Sequence, residues 1–226
     1  MPPEGLIYVV TGDKGSGKST VCAWVARAAA ENGLVVAGVL TERADDGDPG
    51  AQRRVVDLRS GESRPFGSQN RERIGDRRRA TMPVDTDRTA AIDPLTPGWD
   101  FDAEVFSWVD AVLSRATPCD LLVVDELGPL ELLGGRGWVS ALEVLRSRDY
   151  GVALVVCRPK LLDVLKEQLD PVPTTLFEVT LEGRDALPTA ILAGWPGGEA
   201  GYGPRRVRHC NERPGRAASR RTPHDA

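Results

Sequence analysis

Eight consecutive residues, Gly12, Asp13, Lys14, Gly15, Ser16, Gly17, Lys18 and Ser19, satisfy every position of the pattern GxxxxGK[ST]. Glycines at this spacing let the backbone curl tightly enough for several N–H groups to face one centre, which is what phosphate oxygens require. Lys18 can then reach β and γ phosphates as a mobile point charge. The Ser19 hydroxyl can serve as one ligand of Mg²⁺, and Thr20 completes the phosphate-binding set. A second group lies a hundred residues on, where the apolar run Leu121 to Val124 ends in Asp125 and Glu126. Carboxylates at the C-terminal end of a buried strand stand where open α/β sheets bind ligands. Asp125 suits a metal-holding role, and Glu126, no longer locked into the strand, can orient or deprotonate an attacking water. An isolated acidic pair would be read as a cap or a solvated turn; beside a phosphate loop the chemical reading prevails.

These groups need elements to position them. Leu6 to Val10 reads as a buried parallel strand leading into the loop, and Ser19 to Asn32 as a helix ended by Gly33. Leu34 to Leu40 is a second strand, so the chain opens with a βαβ unit. From Ala44 to about Asp100 the sequence turns polar and Arg-rich, interrupting the sheet. Within that insertion, Arg53 to Leu58 and Glu62 to Phe66 flank Ser60 and Gly61 as a hairpin would. Asp102 caps a helix that runs to Ala116, in which Phe106 and Trp108 read as core rather than cofactor stackers. Gly137 to Arg148 (helix), Val152 to Cys157 (strand), Pro159 to Leu169 (helix), Leu176 to Val179 (strand) and Arg184 to Leu192 (short helix) complete the order. Such alternation specifies an α/β fold, a mainly parallel sheet covered by helices on both faces. The expected division is one domain over 1–193, with the insertion at 44–100, and a disordered Gly/Pro/Arg tail over 194–226.

Composition narrows the function classes. A net charge of -4 over 226 residues offers no general attraction to nucleic acid or to anionic membrane. The exceptions are local. Arg71, Arg73, Arg77, Arg78 and Arg79 crowd the insertion, and seven arginines lie between Arg205 and Arg221. Both clusters read first as solvated segments, and contact with a triphosphate or RNA (insertion), or with RNA or an acidic partner (tail), is the lesser reading. Cys22, Cys119, Cys157 and Cys210 lie far apart without a CxxC pair and read as thiols of a reducing compartment. Both histidines, His209 and His224, fall in the tail, which removes a Ser/His triad or a His-rich zinc site from the core. No run reaches membrane-spanning length and no signal-peptide pattern opens the chain, so the expected location is the cytoplasm.

The stretch Gly12 to Thr20, with Gly38, Val39, Leu40, Thr41, Glu42 and then Val124 to Leu132 (VDELGPLEL), resembles the small cytosolic P-loop nucleoside-triphosphatase family of thermophiles and of the cancer-related human enzyme. Phe177, Glu178, Val179 and Thr180, followed by Arg184, Leu187 and Pro188, resemble its closing strand and loop. The likeness extends over most of residues 5–193. It implies a RecA-like P-loop fold and Mg²⁺-dependent hydrolysis of ATP, GTP, CTP and UTP with loose base preference. It implies too that Lys18 and Ser19 hold phosphate and metal, that Asp125 holds metal and that Glu126 is the base. Four features depart from the family pattern: Lys14 in place of a common proline, Gly183 in place of asparagine, the length and composition of the insertion, and the tail beyond Ala193, which has no counterpart there.

Rival readings are a nucleoside or small-molecule kinase and a nucleotide-gated binding or assembly factor. A kinase would need lid arginines, for which Arg146, Arg148 and Arg158 are available, but Glu126 directly after the metal carboxylate favours water as nucleophile. A binding switch could dispense with Glu126. The related ATPases with a signature lysine five residues before the loop lysine have Asp13 at that place here, and no NKxD loop marks a GTPase. Arg158, just past a strand end, is a candidate internal arginine finger, or else a residue bonding backbone carbonyls or a surface acid.

Overall fold

The computed structural model describes residues 5–43, 53–69 and 99–195. Its chain order is β1 (Leu6–Thr11), α1 (Lys18–Glu31), β2 (Val36–Arg43), β3 (Arg53–Asp57), β4 (Ser63–Gln69), β5 (Trp99–Phe101) and α2 (Ala103–Leu113). Then come β6 (Cys119–Leu127), α3 (Pro129–Leu132), α4 (Ser140–Ser147), β7 (Tyr150–Cys157), a 3₁₀ turn (Pro159–Leu161), α5 (Leu162–Leu169), β8 (Thr174–Glu178) and α6 (Leu187–Ala193). All eight strands form one sheet in the order β5-β4-β3-β2-β6-β7-β1-β8. The contiguous set from β2 through β6, β7 and β1 to β8 is parallel. Every parallel strand therefore ends at the same edge, and that edge carries the site.

The apolar runs explain the layering. Each residue of β7 is buried, as a strand covered on both faces requires. Side chains alternate between two cores. Tyr8, Val10, Val123, Leu154 and Val156 meet Val21, Cys22 and Val25 of α1 and Ile191 of α6 on one face. Ile7, Val9, Val124, Ala153 and Val155 meet Val109 of α2, Leu145 of α4 and Leu165 of α5 on the other. The Asp102 carboxylate accepts from the Glu104 N–H at 2.9 Å, so the anticipated cap opens α2. Phe106 and Trp108 pack against the core, as expected.

The hairpin forms, but it does not interrupt the sheet. β3 pairs antiparallel with β2, β4 with β3 and β5 with β4, so the insertion widens the sheet by three strands. The reason lies in the free edge of β2, whose N–H and C=O groups accept a neighbour once β6 occupies its other side. Further elements differ from the sequence reading: α4 opens at Ser140 rather than Gly137, and the short α3 has no counterpart in it. The segment from Pro159 begins as a 3₁₀ turn before α5, and α6 starts at Leu187, with residues 181–186 in turns. Cys22, Cys119 and Cys157 are buried free thiols. The Arg-rich cluster at 71–79, Cys210, both histidines and the tail beyond Trp195 lie outside the described residues. No described helix is long and apolar enough to cross a membrane.

Candidate active site

The phosphate loop joins β1 to α1. Gly12, Gly15 and Gly17 hold φ values of 137°, 86° and 102°, the left-handed region where a Cβ is strained, which is why the loop can turn its N–H groups inward. α1 carries no acidic residue in its first turn, so the positive end of its dipole is not offset by its own side chains. Ser16 is buried with a hydroxyl that has no hydrogen-bond partner. A polar atom orphaned inside this cradle fits an incoming oxyanion. Asp13, Lys14, Gly15 and Thr20 are exposed, whereas Gly12 and Lys18 are buried and Gly17 and Ser19 half-buried.

Lys18 folds back over the loop, its Nζ donating to the carbonyls of Gly12 at 2.8 Å and Asp13 at 2.7 Å. Burial holds its ammonium below the ordinary lysine value. Among the charges around it, Glu126, Asp125 and Asp13 favour the ammonium and Arg158 opposes it. Groups more than a hundred residues apart thus surround one nitrogen.

The acidic pair stands at the end of β6, where the ladder with β7 slips. Pairing runs to Val124↔Val155 and resumes at Leu127↔Cys157, so β6 carries one extra residue at Asp125 and Glu126. A bulge of this kind re-aims side chains at a sheet edge. Asp125 is 1% exposed, and its carboxylate accepts the Thr41 N–H at 3.0 Å. The Thr41 hydroxyl donates to the Asp125 carbonyl at 2.7 Å, and the nearby Ser19 hydroxyl favours the charged form of the Asp125 side chain. Burial pushes the Asp125 carboxyl up to about 6; Glu126 adds to the rise, and Thr41, Ser19 and Arg53 counter it. A buried carboxylate beside a hydroxyl, only partly neutralised, is a hard oxygen pair that suits a divalent cation. Glu126 is more open, and Arg158 Nε meets its Oε1 at 2.5 Å.

Strand order explains how Arg158 arrives. β7 lies between β6 and β1, so the residue after β7 falls between the acidic pair and the phosphate loop. Arg146 and Arg148, the other arginines considered for a lid, sit elsewhere. Arg146 donates to the Gln168 carbonyl and Arg148 to the Gly5 carbonyl, ahead of β1 and at the opposite edge of the sheet.

Four site residues carry no role in the sequence reading, three of them (Thr41, Glu131 and Arg184) standing there only as motif positions. Thr41 fixes Asp125, and its signal was the GVLTE stretch itself. Arg53, at the start of β3, counts Asp125, Glu126 and Arg158 among the charges acting on it. Glu131 is buried and accepts the N–H groups of Gly128 at 2.9 Å and Trp138 at 3.2 Å, holding the loop that follows the acidic pair. Arg184 reaches the phosphate loop from the segment after β8. A methyl group built on Gly17 would lie 2.5 Å from its Cδ.

The family model described as NTPase matches residues 7–192. The chain belongs to the NTPase family. Membership makes it an enzyme, a nucleoside-triphosphatase. It is 26% identical over 187 residues to nucleoside-triphosphatase THEP1 of Thermofilum pendens, covering 81% of this chain and 92% of that one. The THEP1 of Methanopyrus kandleri is 27% identical over 190 residues, with the same coverages. Among solved structures, THEP1 of Aquifex aeolicus aligns with a TM-score of 0.55 at 19% identity, over 83% of this chain and 98% of that one. A human cancer-related nucleoside triphosphatase aligns with a TM-score of 0.58 at 21% identity, over 84% and 96%. Both likenesses establish a shared α/β P-loop fold.

Proposed function

We propose that this enzyme uses Mg²⁺ to hydrolyse the β–γ anhydride of ATP, GTP, CTP and UTP with loose base preference, releasing the nucleoside diphosphate and inorganic phosphate. The observation that carries the reading is the convergence of Lys18, Asp125, Glu126 and Arg158 at one edge of the sheet. The loop N–H groups of residues 12–20 and the helix N-terminus bind the phosphates, with Lys18 released from its loop carbonyls to the β and γ oxygens. Ser19 and Asp125 would hold Mg²⁺, which when bound offsets charge on the phosphate oxygens.

Glu126 accepts a proton from water as the water oxygen bonds to the γ phosphorus and the bridging bond to the β phosphate breaks in line. Arg158, paired with Glu126, has its guanidinium beside the reacting phosphoryl group, where it offsets charge on the transferring oxygens. The kinase alternative loses two of its three candidate lid arginines to the far edge of the sheet. Three buried free thiols fit a cytoplasmic setting.

Phosphate release from the four nucleotides with Mg²⁺ tests the proposal. Glu126→Gln is expected to keep nucleotide binding while losing about 10²-fold or more in turnover, as removal of a general base does. A variant as fast as wild type would defeat the assignment of Glu126. Lys18→Ala should abolish tight triphosphate binding, and an unchanged affinity by calorimetry would remove the phosphate-loop reading.

A further inference from the structure

The site edge extends past the acidic pair. Beyond β6 the sheet continues into β2 and β3, and because β3 runs antiparallel, its first residue, Arg53, stands at the edge where β2 and β6 end. At the usual strand spacing β3 lies about 10 Å from β6, a gap that an arginine side chain can largely cross. Glu126 therefore has an arginine on either side: Arg158 after β7, toward the phosphate loop, and Arg53 across β2, away from it.

Arg53 is set apart from the rest of the hairpin. The ladder between β3 and β4 slips at Arg53/Arg54, an irregularity of the kind that re-aims side chains at a sheet edge. Arg54 is engaged by the hairpin itself, its Nη2 donating to the Ser63 carbonyl at 3.2 Å and to the Ser63 hydroxyl at 2.7 Å. Arg53 is half-buried and stands directly opposite the exposed Arg43 in the β2–β3 register. Like charges facing each other across strands are destabilising. Burial and then Arg43 disfavour the Arg53 charge, Asp125 and Glu126 favour it, and Arg158 opposes it. A half-buried guanidinium acted on by two other cations gains from an added anion.

We propose that Arg53, with Arg43 beside it, forms the subsite that receives the inorganic phosphate set free by hydrolysis. The inference rests on the triphosphatase reading for its ligand. A triphosphate on the loop with its γ group toward Glu126 directs its β–γ bond along the edge from β1 to β6. In an in-line displacement the phosphorus moves toward the attacking water oxygen as its bond to the bridging oxygen breaks. The freed phosphate therefore leaves on the side of β2 and β3, where the planar fork of Arg53 can meet two of its oxygens at once.

Calorimetric titration of inorganic phosphate into the full chain saturated with ADP and Mg²⁺ tests it, on wild type, Arg53→Ala, Arg53→Lys and Arg54→Ala. Loss of the charged fork in Arg53→Ala should weaken phosphate by about 10- to 100-fold and leave ADP affinity unchanged. Arg53→Lys, which keeps the charge and loses the fork, should fall between the two and carries the test if Arg53→Ala does not fold. Arg54→Ala should bind phosphate as wild type does, which separates the contact from damage to the hairpin. Phosphate affinity unchanged in the Arg53 variants, or weakened as much in Arg54→Ala, would overturn the proposal. So would an equal loss of ADP affinity, or no detectable phosphate binding by wild type. Absence of phosphate release from ATP by wild type, with Arg53-dependent phosphate binding intact, would sink the hydrolytic reading and leave the phosphate subsite standing.

Discussion

At the scale of single residues, the site is defined by a carboxylate buried at some cost. Asp125 has a folded pKa of about 6 against an ordinary value of 3.8, so the native chain binds more protons than the unfolded chain between those values. Stability therefore falls as pH rises from about 4 through 6, then levels off. For metal-free protein, this group should make the fold less stable at pH 7.5 than at pH 5 by on the order of 1–2 kcal/mol. Asp125→Asn should remove that slope and raise the melting temperature at pH 7.5, since the amide keeps an acceptor for Thr41 without the buried charge. Melting curves of both proteins in chelator check this, and a wild-type-minus-variant difference that ignores pH would end the idea. A divalent cation should stabilise wild type at pH 7.5 and leave Asp125→Asn almost unaffected, because it neutralises the charge that burial penalises.

At the scale of elements, short connections do as much positioning as the strands. Glu131 ties the Gly128 N–H to the Trp138 N–H across α3 and the loop beyond it. Glu131→Ala leaves both donors buried without partners, at about 1–3 kcal/mol each. Urea unfolding should register a loss of about 2–4 kcal/mol, and turnover should fall because the chain leaving Glu126 loses its anchor. An unfolding midpoint within error of wild type would contradict this account. The GVLTE stretch has a similar logic. Gly38 has φ +98°, and a Cβ there would stand 2.0 Å from the Val123 carbonyl oxygen, so glycine lets β2 close on β6. Thr41, three residues on, then reaches Asp125.

At the scale of the whole molecule, the closing contacts of the described fold run slightly past residue 193. The Tyr8 hydroxyl donates to the Gly194 carbonyl at 2.6 Å and Trp195 packs against the α1 face. A chain truncated after Trp195 is expected to melt within about 2 °C of the full protein and to release phosphate at the same rate, since the Gly/Pro/Arg composition of the tail offers little apolar surface to bury. A large drop in either would place the tail in the working enzyme. Much was legible in the chain before any coordinates. The phosphate loop, the acidic pair, the two-sided sheet and the α2 cap are local facts: each depends on residues a few positions apart, where backbone freedom, period and capping chemistry decide the outcome. What sequence could not supply was adjacency. Nothing in the spacing of Arg158 and Glu126 says that β7 lies between β6 and β1, nor that β3 adds to the free edge of β2 rather than standing apart. The same limit left Arg53, Arg184 and Thr41 without roles, although Thr41 and Arg184 stand in the motifs that carry the resemblance; those roles come from strand order and register. Those are set by which apolar faces bury together, a property of the whole chain. The sequence by itself determined which chemical groups are present and what each can do; only the tertiary structure decided which of them meet.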